Sequence, residues 1–205
     1  MLVTLVLSQM LKATLVFGLE NFTEFSAWFH KTIVPTVSSK TPDETWFGPR
    51  TWHISLASYV IEKPEEAKLK ESLNAVKNFL LSNHLQPINV IDYRVYYGYL
   101  AFTWTKETET FLDNLATKCC EEFEKKLREH NIKFRREYTP EAHCTIRQIN
   151  YMQLDNLKDK IKLKQEMTMM KKDDIPKAIA LHIAGTFDDY ADYNNRRYKA
   201  IYCTK

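Results

Sequence analysis

The sequence predicts an α+β protein of two pseudo-symmetric lobes, each an antiparallel sheet with flanking helices, around a central groove. Three observations carry this expectation. Short β-branched and aromatic runs alternate along the chain with longer segments of helical periodicity, so strands and helices are interleaved. The order strand, helix, strand occurs twice, over 13–17, 21–33 and 52–61 and again over 99–104, 108–129 and 142–149. In each copy the third element carries a histidine two residues before a hydroxyl side chain.

Ala13 to Phe17 is β-branched and aromatic and ends at Gly18, which reads as a strand. Phe22, Phe25, Trp28 or Phe29, and Ile33 recur at helical spacing until Pro35. Ser38 to Arg50 is a polar loop, and Trp52 to Ile61 is strand-like. A helix is expected from about Pro64, with Leu69, Leu73, Val76 and Leu80 as its apolar stripe. Asn89 to Tyr93 and Tyr96 to Trp104 read as strands around Gly98. From Thr108 to Glu129, Phe111, Leu112, Leu115, Ala116, Cys119, Phe123 and Leu127 share one helix face, with Glu121, Glu122, Glu124, Lys125, Lys126 and Arg128 on the solvated side. Lys133 to Arg136 is a basic connection leading through Tyr138 and Pro140 to a strand over His143 to Ile149. The Met- and Lys-rich segment 153–177 reads as a short helix and a loop ended by Pro176. Ile179, Leu181 and Ile183 alternate as a strand, Asp188 to Arg197 is a turn-rich hairpin, and Tyr198 to Cys203 pairs back.

Composition bounds the function. A chain of 205 residues, 44% hydrophobic, buries a proper core, and only 4 glycines and 7 prolines leave no flexible linker. One domain over 1–205 is expected, with lobe one at about 13–92, lobe two at about 93–177 and closing strands over 178–205. Gly18, Gly48, Gly98 and Gly185 cannot spell either common Gly-rich phosphate loop. The 29 basic and 26 acidic residues give a net +3, too little excess for a protein that holds duplex DNA by its phosphates. Cys119, Cys120, Cys144 and Cys203 contain no C-x-x-C, so neither a zinc site nor a disulfide framework is expected, and the compartment should be reducing. The apolar start, Met1 to Gly18, is interrupted by Ser8, Gln9 and Lys12, with no small-residue cleavage site, and is read as strand rather than signal peptide. No run is long enough to span a bilayer. A soluble intracellular monomer, nuclear or cytoplasmic and not secreted, is expected.

The chemistry lies in His53-Ile-Ser55 and His143-Cys-Thr145. On a strand, residues i and i+2 share a face, so each imidazole stands beside its own hydroxyl while Ile54 or Cys144 turns into the lobe. Six histidines should produce roughly 0.8 such His-x-Ser/Thr tripeptides by chance. Three occur. His30-Lys-Thr32 lies on an expected helix, where i and i+2 do not share a face, and is set aside. Two imidazoles and two hydroxyls in one small volume suit phosphodiester cleavage. A neutral histidine takes the proton of the attacking hydroxyl, a protonated one supplies the leaving oxygen, and the hydroxyls bond the non-bridging oxygens as charge builds. The sequence holds no carboxylate cluster or His/Cys ligand spacing, so no metal and no cofactor are expected. Cys144 points away from the His143 face and is not read as a nucleophile.

Paired His-x-Ser/Thr-hydrophobic motifs on repeated α+β units resemble the 2H phosphoesterase superfamily with its LigT-like fold, and the order of elements matches from about Lys12 onward. Within it the likeness is to the spliceosomal snRNA 3′-end processing phosphodiesterases. It rests on Trp52-His-Ile-Ser-Leu-Ala-Ser58, the strand pair from Tyr93 to Trp104, the helix running into Phe134-Arg-Arg-Glu-Tyr138, and the closing Asn194-Asn-Arg-Arg-Tyr-Lys-Ala-Ile-Tyr202. The resemblance implies a phosphodiesterase or ribonuclease, hydrolase or lyase, with His53 and His143 as the catalytic pair. It makes Ser55 and Thr145 the phosphate-holding hydroxyls and Tyr138 a base-stacking residue. The second motif carries Thr where that subfamily more often has Ser. Trp46, Phe47 and Trp52 could stack a further base, and Arg135, Arg136 and Arg147 could guide phosphates. The expected partner is single-stranded RNA, an oligonucleotide or a small nucleotide. Two alternatives stay open: the same chemistry on 2′-5′ oligoadenylate or a cyclic dinucleotide, and an RNA-binding module without turnover.

Overall fold

In the computed structural model the described residues are 10–18, 53–62, 65–83, 88–96, 99–148, 167–170, 179–183 and 199–202. The expected helix 21–33, the 38–50 loop and the 188–197 hairpin lie outside them.

Strand β1 (Met10–Gly18) shows why this sequence makes a sheet with two different faces. Ala13, Leu15 and Phe17 are buried in the core, whereas Lys12 is exposed and Thr14 half-buried, the period-two pattern of a strand; toward its end Val16, on the same face as Thr14, is fully buried too, so both faces are covered there. β2 (His53–Glu62) pairs with it antiparallel over its whole length. Ile54, Leu56, Ala57, Tyr59 and Ile61 enter the same core, while His53, Ser55, Ser58 and Val60 take the opposite face.

Helix α1 (Glu66–Ser82) follows because Leu69, Leu73, Val76 and Leu80 recur at helical spacing, and all four are buried. β3 (Ile88–Tyr96) and β4 (Tyr99–Trp104) are antiparallel neighbours. Helix α2 (Lys106–Glu129) starts at Thr105, whose hydroxyl accepts from the Thr108 amide at 3.2 Å, with Glu107 and Glu109 in the first turn and Lys126 and Arg128 in the last. It stops where Asn131 takes the left-handed region, φ 55°, and the Asn131 and Ile132 amides return to the Arg128 and Leu127 carbonyls. Both helices contribute to one core with β1, β2 and β8 (Ile179–Ile183), so they back one face of the sheet.

The remaining strands are β5 (Phe134–Tyr138), β6 (Cys144–Gln148), β7 (Met167–Met170) and β9 (Lys199–Tyr202). Among the described residues one nine-stranded sheet results, in the order β7-β3-β4-β6-β2-β1-β8-β9 with β5 pairing β2, and every pair is antiparallel. In that order four strands stand on each side of the β6–β2 seam.

Three readings of the sequence are corrected. Lys133 to Arg136 is not a mere connection: Phe134 to Tyr138 is strand β5, laid along β2. Its adjacent arginines hide the alternation, because Arg136 on the core side is satisfied by an ion pair rather than by apolar packing. Met167 to Met170 is a strand, where a helix and loop are expected from sequence, because pairing with β3 overrides weak local propensity. Glu124 is not solvated; it is only 7% exposed. Its carboxylate accepts from the Tyr59 hydroxyl at 3.1 Å, Arg136 Nε at 2.6 Å and Arg128 Nη2 at 3.0 Å, which ties α2 to β2 and β5. Among the described residues no helix is long and apolar enough to cross a membrane.

Candidate active site

The two His-x-Ser/Thr tripeptides occupy equivalent ladder positions. On β2 the register against β1 runs Phe17 to Ile54 and Val16 to Ser55, then jumps to Leu15 opposite Ala57, leaving Leu56 as the extra residue of a bulge. On β6 the register against β4 runs Phe102 to Cys144 and Ala101 to Thr145, then jumps to Leu100 opposite Arg147, leaving Ile146 as the extra residue. Each motif therefore has a phenylalanine beside its middle residue, and a bulge directly after its hydroxyl.

The strands that carry them are joined. Ile54 of β2 pairs with Cys144 of β6, and both side chains are fully buried. Extending the antiparallel register one step either side of that pair sets His53 opposite Thr145 and Ser55 opposite His143, the residue just before β6, all four on the face away from Ile54 and Cys144. His53 and His143 are diagonal neighbours, with Cα atoms about 7–8 Å apart by ladder geometry. All four residues are half-buried. The register thus puts both imidazoles and both hydroxyls on one face of the sheet.

His143 is held from behind. Its Nδ1 lies 2.7 Å from the Glu141 carbonyl oxygen, which can only accept, so Nδ1 carries the proton and Nε2 is the basic nitrogen of the neutral ring. The turn that places this carbonyl is itself fastened: Trp104 at the end of β4 donates its indole N–H to the Ala142 carbonyl at 2.9 Å, and Pro140 and Ala142 are buried.

The middle residues are structural. Burial pushes the Cys144 thiol far above its ordinary range, a shift that the His53 backbone N–H only partly offsets. Burial does the same to Cys119 and Cys120. All three are free thiols kept protonated in the core.

Tyr138 ends β5 opposite Ser58, on the face that carries His53 and Ser55, and is 53% exposed. Beside it, the Thr14 and Ser58 hydroxyls lie 3.3 Å apart, and His182 of β8 is the register partner of Thr14. Of this row the sequence singles out Tyr138 alone, through the resemblance; no motif links it to Thr14, Ser58 and His182, and only the pairing of β8, β1, β2 and β5 does. Arg147 sits opposite Leu100 in the register. Trp46 and Trp52 lie outside the described residues. Tyr96 and Tyr99 pair with each other across β3 and β4. Arg136, a possible phosphate guide by its place in the sequence, has its guanidinium held by Glu124 on the helix side of the sheet.

The antiparallel sheet backed on one face by helices matches the α+β fold of LigT. The solved structure of E. coli LigT complexed with 3′-AMP is similar at a TM-score of 0.50 and 9% identity, covering 95% of each chain. E. coli LigT complexed with ATP gives 0.45 and 11%, again over 95% of each chain. No family model and no curated protein sequence matches the chain.

Proposed function

We propose that this protein is a metal-independent phosphodiesterase of the 2H type, acting on RNA or an oligonucleotide through His53 and His143. The observation that carries the reading is the matched register: two His-x-Ser/Thr tripeptides, each closed by a bulge, on strands paired at Ile54 and Cys144. The same match favours two pseudo-symmetric halves about an axis through that pair.

In this reading a phosphodiester lies over the seam. One imidazole takes the proton of the attacking hydroxyl, either a neighbouring 2′-hydroxyl or water, and the other protonates the leaving ester oxygen. The Ser55 and Thr145 hydroxyls hold the non-bridging oxygens from both sides as negative charge develops. His143 works through Nε2, its ring fixed by the Glu141 carbonyl. Attack by a 2′-hydroxyl leaves a 2′,3′-cyclic phosphate, which suits 3′-end trimming of RNA, and Tyr138 stacks the adjoining base. The nucleotide held by LigT in the 3′-AMP complex fits a nucleotide-sized partner here.

The test is cleavage in EDTA of oligouridylate, 2′-5′ oligoadenylate and a cyclic dinucleotide by the parent and by His53→Ala and His143→Ala. Turnover of oligouridylate by the parent alone supports the reading. Preference for either of the other substrates would move the same chemistry to signalling nucleotides. Binding of RNA by all three proteins without turnover would make this a binding module.

A further inference from the structure

We infer that the face carrying the histidines continues along β1, β2 and β5 as a track for a single strand several nucleotides long, ending in a phosphate subsite bracketed by Lys12 and Arg135. The inference rests on the phosphodiesterase reading for its origin at the seam, and the rest of it comes from the register.

Three ladder steps along the unbulged strand β1, from Phe17 to Thr14, lead from the Ile54 level to the row Thr14, Ser58 and Tyr138, about 10 Å away at roughly 3.4 Å per residue. Two steps further is the row Lys12, Val60 and Arg135, about 17 Å from the seam. The bulge at Leu56 keeps these rows in phase with His53 and Ser55: Val16, beside Ser55, is fully buried, Thr14, Ser58 and Val60 are half-buried, and Lys12, Arg135 and Tyr138 are exposed, so the track leaves the seam over β2 and takes in β1 from Thr14 onward. In chain order of a bound strand, the face offers the histidines, a pair of hydroxyls 3.3 Å apart beside an exposed aromatic ring, and then two long cations flanking an apolar floor. That is the composition of a single-strand site, with hydroxyls for sugar and phosphate, a ring for a base and cations for the next backbone charge.

Arg135 pairs with Glu137 at 2.7 Å. Exposed pairs of this kind are weak because water screens them, so a phosphate can displace the carboxylate. Glu62 follows Val60 on the same face of β2 and closes the track, because a phosphate placed beyond the cations would meet its charge. A mononucleotide or a dinucleotide held at the seam cannot reach Lys12 and Arg135, whereas a longer strand can.

The test compares the parent with Lys12→Gln/Arg135→Gln, both exposed positions, using fluorescein-labelled deoxyuridylate hexamer and dimer probes that lack the attacking 2′-hydroxyl. Anisotropy titrations over a salt series should show hexamer affinity falling roughly tenfold in the variant, with dimer affinity unchanged within twofold. The salt slope for the hexamer should fall by about 0.7 for each phosphate that the variant no longer neutralises. Equal hexamer affinity in parent and variant, or an equal loss for both probes, overturns the track. Cleavage of the corresponding ribonucleotides is followed in parallel. A parent that binds hexamer through these cations yet cleaves nothing would sink the phosphodiesterase reading and leave the track standing.

Discussion

Ile54 and Cys144 meet as directly opposed, fully buried partners on β2 and β6, and their pairing is what brings the two histidine motifs to one face of one sheet. Both side chains lie on the core face, away from the face that carries the histidines. Their burial sets the phase of both strands, since a slip of one residue would turn His53, Ser55, His143 and Thr145 into the core.

On the proposed mechanism, removing either imidazole should lower turnover sharply without unfolding the protein. His53→Ala and His143→Ala are each expected to lower kcat by about 10²–10⁴, and Ser55→Ala or Thr145→Ala by about 10²–10³. Thr145→Ser, which keeps the hydroxyl, should stay near parental activity. Steady-state kinetics with thermal melts as the folding control check this, and normal turnover by His53→Ala would remove the paired-histidine mechanism.

Trp104 is expected to act on His143 at a distance, as a positioning residue. Trp104→Phe leaves the buried Ala142 carbonyl without its donor, a cost of about 1–3 kcal/mol. The loosened turn should also release the Glu141 carbonyl from Nδ1. Nitrogen-15 spectra of the His143 ring should show the Nδ1–H tautomer in the parent and a tautomer mixture in Trp104→Phe, with kcat falling more than KM changes. An unaltered ring spectrum would reduce Trp104 to a packing role.

Glu124 should prove a keystone of stability. Glu124→Gln leaves Arg136 and Tyr59 with a neutral partner on the core side, and because the Arg136 side chain is one-third exposed the loss is expected at about 2–3 kcal/mol, below that of a fully buried pair. Urea denaturation measures it. The Tyr59→Phe/Glu124→Gln double mutant should cost less than the sum of the single ones, because both remove the same hydrogen bond.

Stability should decline on the alkaline side. Burial raises the Cys119 and Cys144 thiols above their ordinary value of 9.0 and the Tyr59 phenol above 10.0. Above those values the unfolded chain releases protons that the folded chain retains, so the stabilisation is whole below about pH 9 and diminishes as pH rises beyond it. Melting temperature measured from pH 7 to 10.5 should be flat at first and then fall, and the fall should be shallower in Cys144→Ala. Native Cys144 should resist thiol reagents until the protein unfolds.

Much of this is legible in the residues. The stripes Leu69, Leu73, Val76 and Leu80 on α1 and Leu112, Leu115, Cys119, Phe123 and Leu127 on α2 mark helix faces by spacing alone, and the alternation Ala13, Leu15, Phe17 marks a strand with two unlike sides. What escapes local reading are elements whose stability comes from a partner distant in sequence. β5 owes its place to β2 and to Glu124, and β7 to β3. Glu124 reads as a surface residue because helical spacing puts it next to true surface residues; nothing in α2 itself announces that a tyrosine and an arginine from two strands converge there.

By itself the sequence determined which residues could do chemistry together, because a histidine two positions before a hydroxyl on a strand shares its face whatever the rest of the fold does. Only the tertiary structure decided which hydroxyl each histidine faces, that Leu56 and Ile146 are both bulged, and that Tyr138, Thr14 and Lys12 extend the same surface. Those relations are set by register between strands far apart in the chain. Register comes from the summed burial of whole strand faces against one core, a long-range quantity that no local spacing encodes.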